Sequence, residues 1–234
     1  MKNIKMVDLK GQYLKIKNEV DTRINSCIHS TAFINGPEVK NFELNLKKYL
    51  NIKNVIPCAN GTDALQISLM SLDLKPGDEV ICPAFTYIAT SEVIALLGLK
   101  PVLCDVDNKT FNVTAAHIEK VISNKTKVII PVHLYGQSCD MEDIMSLAKN
   151  YNLYVIEDNA QAIGASYTFS NGTKLKTGTI GDIGTTSFFP SKNLGCYGDG
   201  GAIFTDNPDI EEKIRSIRVH GAGKDKYDNI RVGI

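Results

Sequence analysis

Short apolar runs alternate with segments of helical length through the middle of the chain, and this alternation constrains the fold more than any other feature. Runs of strand length lie at Asn54–Cys58, Glu79–Cys82, Pro101–Val106, Lys127–Val132 and Leu153–Glu157. The segments between them predict helices that begin near Gly61, Ile88, Thr114 and Asp140. Such alternation predicts an α/β fold, a mostly parallel sheet with helices on both faces.

Both ends of the chain add elements to this sheet. Apolar residues recur every three or four positions from Leu9 to Ile28, and a second stripe with proline at its start runs over Pro37–Leu50, which predicts two helices. We interpret residues 1–50 as an N-terminal helical arm and residues 51–234 as the large domain. After the parallel strands, two hairpin-like strands and a helix are predicted at Ile183–Ser187, Gly201–Thr205 and Pro208–Val219.

The composition argues against several classes of partner. Because 26 basic residues balance 26 acidic ones, the chain has no net charge that would attract nucleic acid or an anionic membrane. It also contains no run of like charges that would form a local binding site for either partner. The N-terminus has no long apolar stretch, so we expect neither a signal peptide nor a membrane anchor. The six cysteines lie far apart without a C-x-x-C pair, which argues against a metal site or a disulfide framework and favours a reducing cytoplasm.

Three strand ends carry unusual residues, and ligands of an open parallel sheet bind outside the carboxyl ends of its strands. The first is CANGTDAL, residues 58–65, where a strand runs directly into a helix. Asn60 can cap that helix, Gly61 permits close backbone approach, and Thr62 supplies a hydroxyl. The free N–H groups and the dipole of a helix start form a phosphate site, although an ordinary capped helix has the same pattern.

The other two strand ends carry an acid and an amine. In LYVIEDNAQAIGA, residues 153–165, an apolar strand leads into Asp158, and a buried carboxylate needs a cation or hydrogen-bond donors. In SFFPSKNLGCYGDGGA, residues 187–202, Ser187 ends a strand and Lys192 follows on a loop stiffened by Pro190. A partly desolvated lysine amine can attack a carbonyl. The alternatives are a satisfied structural aspartate and a solvent-facing loop lysine.

One cofactor uses a phosphate site, a carboxylate and an amine together. In pyridoxal 5′-phosphate (PLP) the phosphate needs the helix start, the pyridine nitrogen needs a carboxylate, and the aldehyde needs an amine for a Schiff base. An aromatic side chain to cover the ring is available in CPAFTYIAT, as Phe85 or Tyr87. The strand ends therefore predict a PLP site with Lys192 as its Schiff-base lysine.

Ordered motifs along the whole chain resemble the N-terminal, larger part of the DegT/StrS family of sugar aminotransferases. They are INGPEVKNFE, CANGTDALQISLMSLDLKPGDEVICPAFTYIAT, PVHLYGQ, VIEDNAQAIGA, SFFPSKNLGCYGDGGAIFT and RVHGAGKDKYDNIRVGI. The resemblance implies the large domain of a fold-type I PLP-dependent transferase. It also implies that the family's small C-terminal domain, which completes the substrate site, is missing from this chain.

The resemblance assigns cofactor-binding roles to matching residues. Lys192 would form the Schiff base and shuttle a proton, and Asp158 would pair with the pyridine nitrogen. Gln161 would lie near the 3-hydroxyl of the ring. Tyr87, rather than Phe85, would stack on the ring.

The same resemblance implies a phosphate site and a link to a partner subunit. Ser187 would hold the phosphate together with the helix start at Gly61 and Thr62. A homodimer is expected, because each site of the family lies at a subunit interface. The residues of this chain in the segment that reaches toward the partner subunit's active site are His220, Tyr227 and Arg231.

The implied reaction is ping-pong amino transfer from L-glutamate to a keto sugar attached to a nucleotide, for surface polysaccharide synthesis, with no metal. The SFFPSKNLGCYGDGGAIFT and RVHG…YDNIRVGI segments look most similar to members acting on UDP-linked 3-keto sugars, such as the UDP-2-acetamido-3-oxo-glucuronate type. A ketone at C-4 stays open. A truncated, non-catalytic fragment of such an enzyme is the alternative.

Two further hypotheses fit the residues less well. A nicotinamide-binding Rossmann protein needs G-x-G-x-x-G after an early strand, whereas CANGTDAL lacks that glycine pattern and GDGGAI comes too late. Sugar dehydratases that resemble this family carry histidine in place of the Schiff-base lysine, and Lys192 argues against that reaction.

Overall fold

The computed structural model describes residues 4, 6–225 and 227–234, and a seven-stranded sheet lies at its centre. Its strands are β1 (Asn54–Cys58), β2 (Glu79–Pro83), β3 (Lys100–Cys104), β4 (Thr126–Ile129), β5 (Tyr154–Asp158), β8 (Ile183–Ser187) and β9 (Gly201–Thr205). A separate two-stranded sheet joins β6 (Ser166–Thr168) to β7 (Lys174–Lys176).

The strands of the large sheet lie in the order β1-β9-β8-β5-β4-β2-β3. The pairs β3–β2, β2–β4, β4–β5 and β5–β8 are parallel, and β9 is antiparallel to both of its neighbours. The predicted mostly parallel sheet is therefore confirmed. Because β5 and β8 are adjacent and parallel, the ends that carry Asp158 and Ser187 meet at one edge of the sheet.

Helices cover both faces of the sheet, as predicted. They are α1 (Leu9–Ser30), α2 (Pro37–Leu50), α3 (Gly61–Met70), α4 (Ala89–Leu96), α5 (Ala115–Glu119), α6 (Met141–Tyr151) and α7 (Pro208–Ile217). The side chains of α3, α4 and α7 form one core with the sheet, and those of α5 and α6 form another. None of the helices described here combines the length and apolar character that crossing a bilayer requires.

Strand β5 shows why its sequence is a continuous apolar run. Val155 and Ile156 point to opposite faces of the sheet, one into each core, and both are fully buried. Each such side chain contributes roughly 1.5–3 kcal/mol through burial. A strand buried on both faces shows no alternation, so it is recognised by its length and β-branched residues rather than by period.

The structure differs from the sequence-based boundaries where the backbone turns away from regular pairing. The strand predicted over Lys127–Val132 ends at Ile129, and Pro131, which has no N–H, follows. Pro131 still accepts a hydrogen bond from the Asp158 N–H at 2.9 Å. The segment after β4 therefore stays beside the end of β5.

Two other elements depart from the predictions. The helix predicted over Pro208–Val219 ends at Ile217, because His220 and Gly221 take left-handed φ angles of 62° and 74° and turn the chain. Helix α1 forms as predicted, but none of its residues is buried. Helix α2, by contrast, packs on the sheet through Leu46 and Leu50.

Candidate active site

The turn from β1 into α3 forms the predicted helix-start site. Asn60 caps the helix, its Oδ1 accepting from the Asp63 N–H at 2.8 Å. A Cβ atom on Gly61 would lie 2.7 Å from the Ser187 Cβ, so only glycine lets the helix start approach the end of β8 this closely. The first N–H groups of a helix lack intrahelical acceptors and carry its positive dipole end. An anion can therefore bind between Gly61, Thr62 and Ser187.

Asp158 ends β5 as a buried carboxylate, only 5% exposed. Its Oδ2 accepts from the Thr90 hydroxyl at 2.9 Å, and its Oδ1 accepts from the Ala160 N–H at 3.2 Å. Burial raises the pKa of Asp158 above its ordinary value, against the opposing effects of these two donors and of the nearby His133 and Lys192 side chains. A cation placed beside this carboxylate would therefore be strongly favoured.

Glu157 precedes Asp158 on the same strand and points to the opposite face. Its two oxygens accept from the N–H groups of Gly178, Ile180 and Gly181 at 2.6–2.8 Å. The Nε2 atom of His133 lies 2.9 Å from Oε2, and both side chains are fully buried. Because His133 Nδ1 accepts from the Cys139 N–H at 3.1 Å, the ring proton is on Nε2 and is donated to Glu157.

We expect Glu157→Gln to lower the free energy of unfolding by about 3 kcal/mol or more, because the new amide NH₂ would face buried N–H donors. Urea unfolding measures the difference. Glu119→Gln, on an exposed residue at the end of α5, is the matched control and should change the value by less than about 0.5 kcal/mol. Equal urea midpoints for Glu157→Gln and the wild type would show that these hydrogen bonds do not stabilise the fold.

The loop between β8 and β9 carries Lys192. Its base is closed by hydrogen bonds from the Phe188 N–H to the Gly200 carbonyl at 2.7 Å and from the Cys196 N–H to the Phe188 carbonyl at 2.8 Å. Within it, the Lys192 N–H donates to the Phe189 carbonyl at 2.8 Å. This backbone closure holds a half-buried lysine at the same sheet edge as Asp158.

Gln161 has its amide orientation fixed by a neighbouring turn. The Tyr135 N–H donates to Gln161 Oε1 at 2.6 Å. Tyr135 takes a left-handed φ of 55° in the short turn Leu134–Gly136, and the His133 N–H at its start donates to the Asp158 carbonyl at 3.1 Å. The side-chain oxygen of Gln161 is thus occupied, and its NH₂ group remains to donate to a ligand.

These side chains line one cavity of about 550 Å³. The sequence-predicted residues that it contains are Gly61, Thr62, Tyr87, Asp158, Gln161, Ser187 and Lys192. A larger groove of about 1070 Å³ lies between α1 and the loop around Tyr197, but it includes neither Lys192 nor Asp158. The smaller cavity is therefore the one that combines an amine, a buried acid and a helix start.

The structure distinguishes the two candidate aromatic residues. Tyr87 lines the cavity and is 72% exposed, whereas Phe85 packs on Phe111 with ring centroids 5.7 Å apart. This arrangement favours Tyr87 as the residue facing a ligand, as the sequence interpretation preferred.

The three residues predicted to reach a partner subunit do not line this cavity in the described part of the chain. Arg231 Nη1 lies 3.2 Å from Glu212 Oε2, and the His220 N–H donates to the Ile234 carbonyl at 3.3 Å. The Tyr227 side chain is 82% exposed. Their assignment to a partner's site stays a prediction, because it concerns a second subunit.

The cavity also contains polar residues that the sequence interpretation did not single out, namely Asp63, Thr86, Thr90, Ser191 and Asp199. Thr90 lies in the first turn of α4, and it follows the end of β2, as Tyr87 does. This position shortly after a strand end was the signal in the sequence that could have identified Thr90 as a site residue. Asp199 lies in the glycine-rich segment GDGGA, in which the glycines predict tight turns and no spacing pattern marks the acid.

The cysteines and the metal-binding residue types add no chemistry to the site. All six thiols are free, and burial raises the pKa of Cys58, nearest the helix start, to about 12. Such a thiol is not a nucleophile at neutral pH. Within the described residues, no group of three His, Cys, Asp or Glu side chains is placed to hold a metal ion.

Comparison with known proteins gives a consistent set of similarities. The model of the DegT/DnrJ/EryC1/StrS aminotransferase family matches residues 14–234. The chain is 48% identical over 231 residues to UDP-2-acetamido-2-deoxy-3-oxo-D-glucuronate aminotransferase of Pseudomonas aeruginosa, covering 99% of this chain and 63% of that protein. The chain thus spans less than two thirds of the length of that relative.

Two solved structures are similar throughout this chain. A DegT DnrJ EryC1 StrS aminotransferase from Brucella abortus superposes with a TM-score of 0.94 at 40% identity, covering 99% of this chain and 63% of that one. NtdA from Bacillus subtilis, solved with bound cofactor PMP, superposes with a TM-score of 0.86 at 35% identity, covering 100% of this chain and 52% of that one.

Proposed function

Since the chain belongs to the DegT/DnrJ/EryC1/StrS aminotransferase family, we propose that its cavity binds PLP and that the protein transfers an amino group to a keto sugar carried on a nucleotide. The observation that carries this proposal is the convergence of Lys192, Asp158 and the start of α3 on one cavity of about 550 Å³. The PMP-bound relative supports the choice of cofactor, because PMP is the aminated form of PLP.

The residues present fit the chemistry of PLP. Burial raises the pKa of Asp158, so a pyridinium nitrogen beside it would compensate an otherwise costly buried carboxylate. The absence of a side chain on Gly61 lets the helix start lie against Ser187, so that the N–H groups of the helix start and the Ser187 hydroxyl can bind one phosphate. The NH₂ group of Gln161 can donate to the phenolic oxygen, and the exposed ring of Tyr87 can stack on the pyridine ring.

When bound, PLP supplies an aldehyde that accepts and releases amino groups and a ring that delocalises the electrons of the adjacent carbon. Lys192 Nζ would hold the aldehyde carbon and, when released, move the proton between that carbon and the substrate carbon. Asp158 would keep the ring nitrogen protonated through its free lone pairs, since Thr90 and Ala160 each occupy one. The backbone closure of the loop would keep Lys192 within the same cavity in both roles.

For the substrates, we propose L-glutamate as donor and a UDP-linked 3-keto sugar as acceptor. The 48% identity to an enzyme named for a UDP-3-oxo sugar supports the acceptor. The motif resemblance supports glutamate. An aminated nucleotide sugar can serve as a building block for polysaccharide, which is the role that the resemblance implies.

We also propose a homodimer. Large aromatic side chains remain exposed in the cavity, where Tyr87 is 72% and Phe189 is 53% exposed, and in the groove beside α1, where Tyr197 is 63% exposed. Exposed apolar surface of this kind marks interaction sites. Light scattering of the protein at micromolar concentration should give twice the mass of one chain. An active protein with the mass of a single chain would contradict the dimer.

The test of the proposed function has two stages. Addition of PLP to the protein should produce a visible absorption band, and L-glutamate should then convert that band to the spectrum of PMP. Incubation of the PMP form with UDP-linked 3-keto and 4-keto sugars should regenerate PLP with the preferred sugar. Failure to bind PLP would contradict the whole proposal, whereas binding without amino transfer would favour a non-catalytic fragment.

A further inference from the structure

Thr90 makes a contact that the proposed roles above do not require. It lies in the first turn of α4 and is 1% exposed. Its hydroxyl lies 2.9 Å from Asp158 Oδ2, a contact between residues 68 positions apart in sequence. Helix α4 follows β2 along the chain, whereas Asp158 ends β5. The Thr90 side chain thus joins two separate parts of the fold at the cavity.

The same residue is tied to the segment that carries Tyr87. The Thr90 N–H donates to the Tyr87 carbonyl at 3.4 Å, and both residues line the cavity. On the other side of the carboxylate, the Ala160 N–H donates to Asp158 Oδ1 at 3.2 Å. Each oxygen of the carboxylate therefore accepts one hydrogen bond. One donor is a backbone N–H, whose direction is set by the main chain, and the other is a side-chain hydroxyl, whose direction depends on its rotamer.

We propose that Thr90 is a positioning residue whose hydroxyl fixes the rotation of the Asp158 carboxylate and its distance from the Tyr87 segment, so that an oxygen is already oriented toward the ring nitrogen of PLP. This inference rests on the proposed PLP site. A preoriented carboxylate does not have to give up rotamer freedom when the cofactor binds, so removal of the hydroxyl should weaken binding as well as turnover.

A hydroxyl suits this position better than any apolar group of the same shape. It donates to Asp158 when the carboxylate is ionised, and it can accept from the carboxylic acid when the empty site is protonated. The branched Cβ of threonine restricts χ1, which adds to the fixed direction of the bond. Serine keeps the donor and acceptor, whereas valine keeps the shape and loses both.

The test compares Thr90→Val, Thr90→Ser and Thr186→Val by titrating the ligand-free proteins with PLP and recording the dissociation constant. Thr186 is buried on β8, and its hydroxyl donates to the Asn159 carbonyl at 3.3 Å, so Thr186→Val is a matched loss of a buried hydroxyl that spares Asp158. Thr90→Val should raise the dissociation constant by about tenfold to a hundredfold, as expected for losing a hydrogen bond to a charged group. Thr90→Ser and Thr186→Val should stay within about threefold of the wild type.

A second measurement needs no cofactor. Titration of the Asp158 side-chain carboxyl by ¹³C NMR in the ligand-free protein should show a higher midpoint in Thr90→Val than in the wild type, and a wild-type midpoint in Thr186→Val. Since His133 and Lys192 are unchanged in these variants, a difference reports the lost hydroxyl. Thr90→Ala replaces Thr90→Val in both measurements if the valine variant does not fold.

The outcomes separate the two proposals. If the wild type does not bind PLP, the proposed function fails, and the carboxyl titration still decides whether Thr90 acts on Asp158. If the wild type binds PLP and a folded Thr90→Val binds it equally well, the role of Thr90 is wrong while the PLP site stands. An equal loss of affinity in Thr186→Val, or loss of folding in both the valine and alanine variants of Thr90, would also overturn it by showing a general packing role.

Discussion

Lys192→Ala is expected to reduce amino transfer by about 10⁴-fold or more, because one side chain would supply both the covalent attachment of PLP and the proton transfer. The reason lies in the geometry of the loop between β8 and β9. Hydrogen bonds at the base of this loop hold Lys192 beside Asp158, and a water molecule replacing the amine would have neither its position nor its nucleophilicity. The measurement is the rate of glutamate-dependent conversion of PLP to PMP.

Two further variants make this prediction specific. Lys192→Arg keeps the positive charge but not the nucleophilic amine, so it should be as inactive as alanine. Lys174→Ala removes an exposed lysine on β7 and should retain the wild-type rate. A Lys192→Ala protein that transfers amino groups at more than about a tenth of the wild-type rate would rule out the proposed role of Lys192.

Asp158→Asn is expected to lower kcat by roughly 10²-fold to 10³-fold, the range typical of removing one preorganised electrostatic partner. The asparagine amide can still contact Thr90 and Ala160, so some PLP binding should remain, but it cannot hold the ring nitrogen cationic. Turnover should therefore fall much more than affinity. Steady-state kinetics and a PLP titration measure the two effects separately.

The same substitution should stabilise the protein without its cofactor. Burial raises the pKa of Asp158 in the folded state above its unfolded value, so the folded protein keeps a proton that the unfolded chain has already released. The free energy of unfolding therefore falls as the pH rises from the pKa of Asp158 in the unfolded chain to its higher pKa in the folded protein. Above the folded-state pKa the full loss of stability is present. A neutral asparagine side chain would not carry this cost, and the melting temperature of the ligand-free variant at neutral pH should exceed that of the wild type.

Asp182→Asn is the control for both effects. Asp182 Oδ2 accepts from the Val155 N–H at 2.8 Å, near the opposite end of β5 and outside the cavity. Its loss should lower the melting temperature and leave kcat close to the wild-type value in protein that remains folded. A near-normal kcat in Asp158→Asn would defeat the assignment of Asp158 to the ring nitrogen.

Much of the sheet could be predicted because its central strands are buried on both faces. Continuous apolar runs such as Val155–Ile156 have few other stable arrangements, and proline or an N-cap marks the starts of α2 and α3. The hairpin of β6 and β7 escaped prediction, because each strand has three residues and no apolar run. Its pairing is visible only in the folded backbone.

The sequence predicted those parts of the site that the order and direction of the strands bring together. Asp158 ends β5 and Lys192 follows β8, and these strands are adjacent and parallel, so the meeting of the two residues follows from the strand order. The contact between Thr90 and Asp158 joins residues 68 positions apart, and no spacing rule indicates it. The approach of Gly61 to Ser187 likewise depends on β9 lying between β1 and β8, an antiparallel insertion that the sequence suggested only as a hairpin.

Helix α1 shows the limit of periodicity as a predictor. The recurrence of apolar residues from Leu9 to Ile28 correctly predicted a helix, because the period reports the local conformation. None of the helix residues is buried within this chain, however. A period identifies which side of a helix is apolar, but not the surface against which that side packs.

In the proposed site, the amine of Lys192 holds PLP in the cavity beside Asp158. The most direct measurement is borohydride reduction of the protein mixed with PLP, followed by mass mapping of its peptides. We expect a reduced cofactor label on Lys192, with little on the protein's other lysines. An unlabelled Lys192, or a label spread evenly over surface lysines, would contradict it.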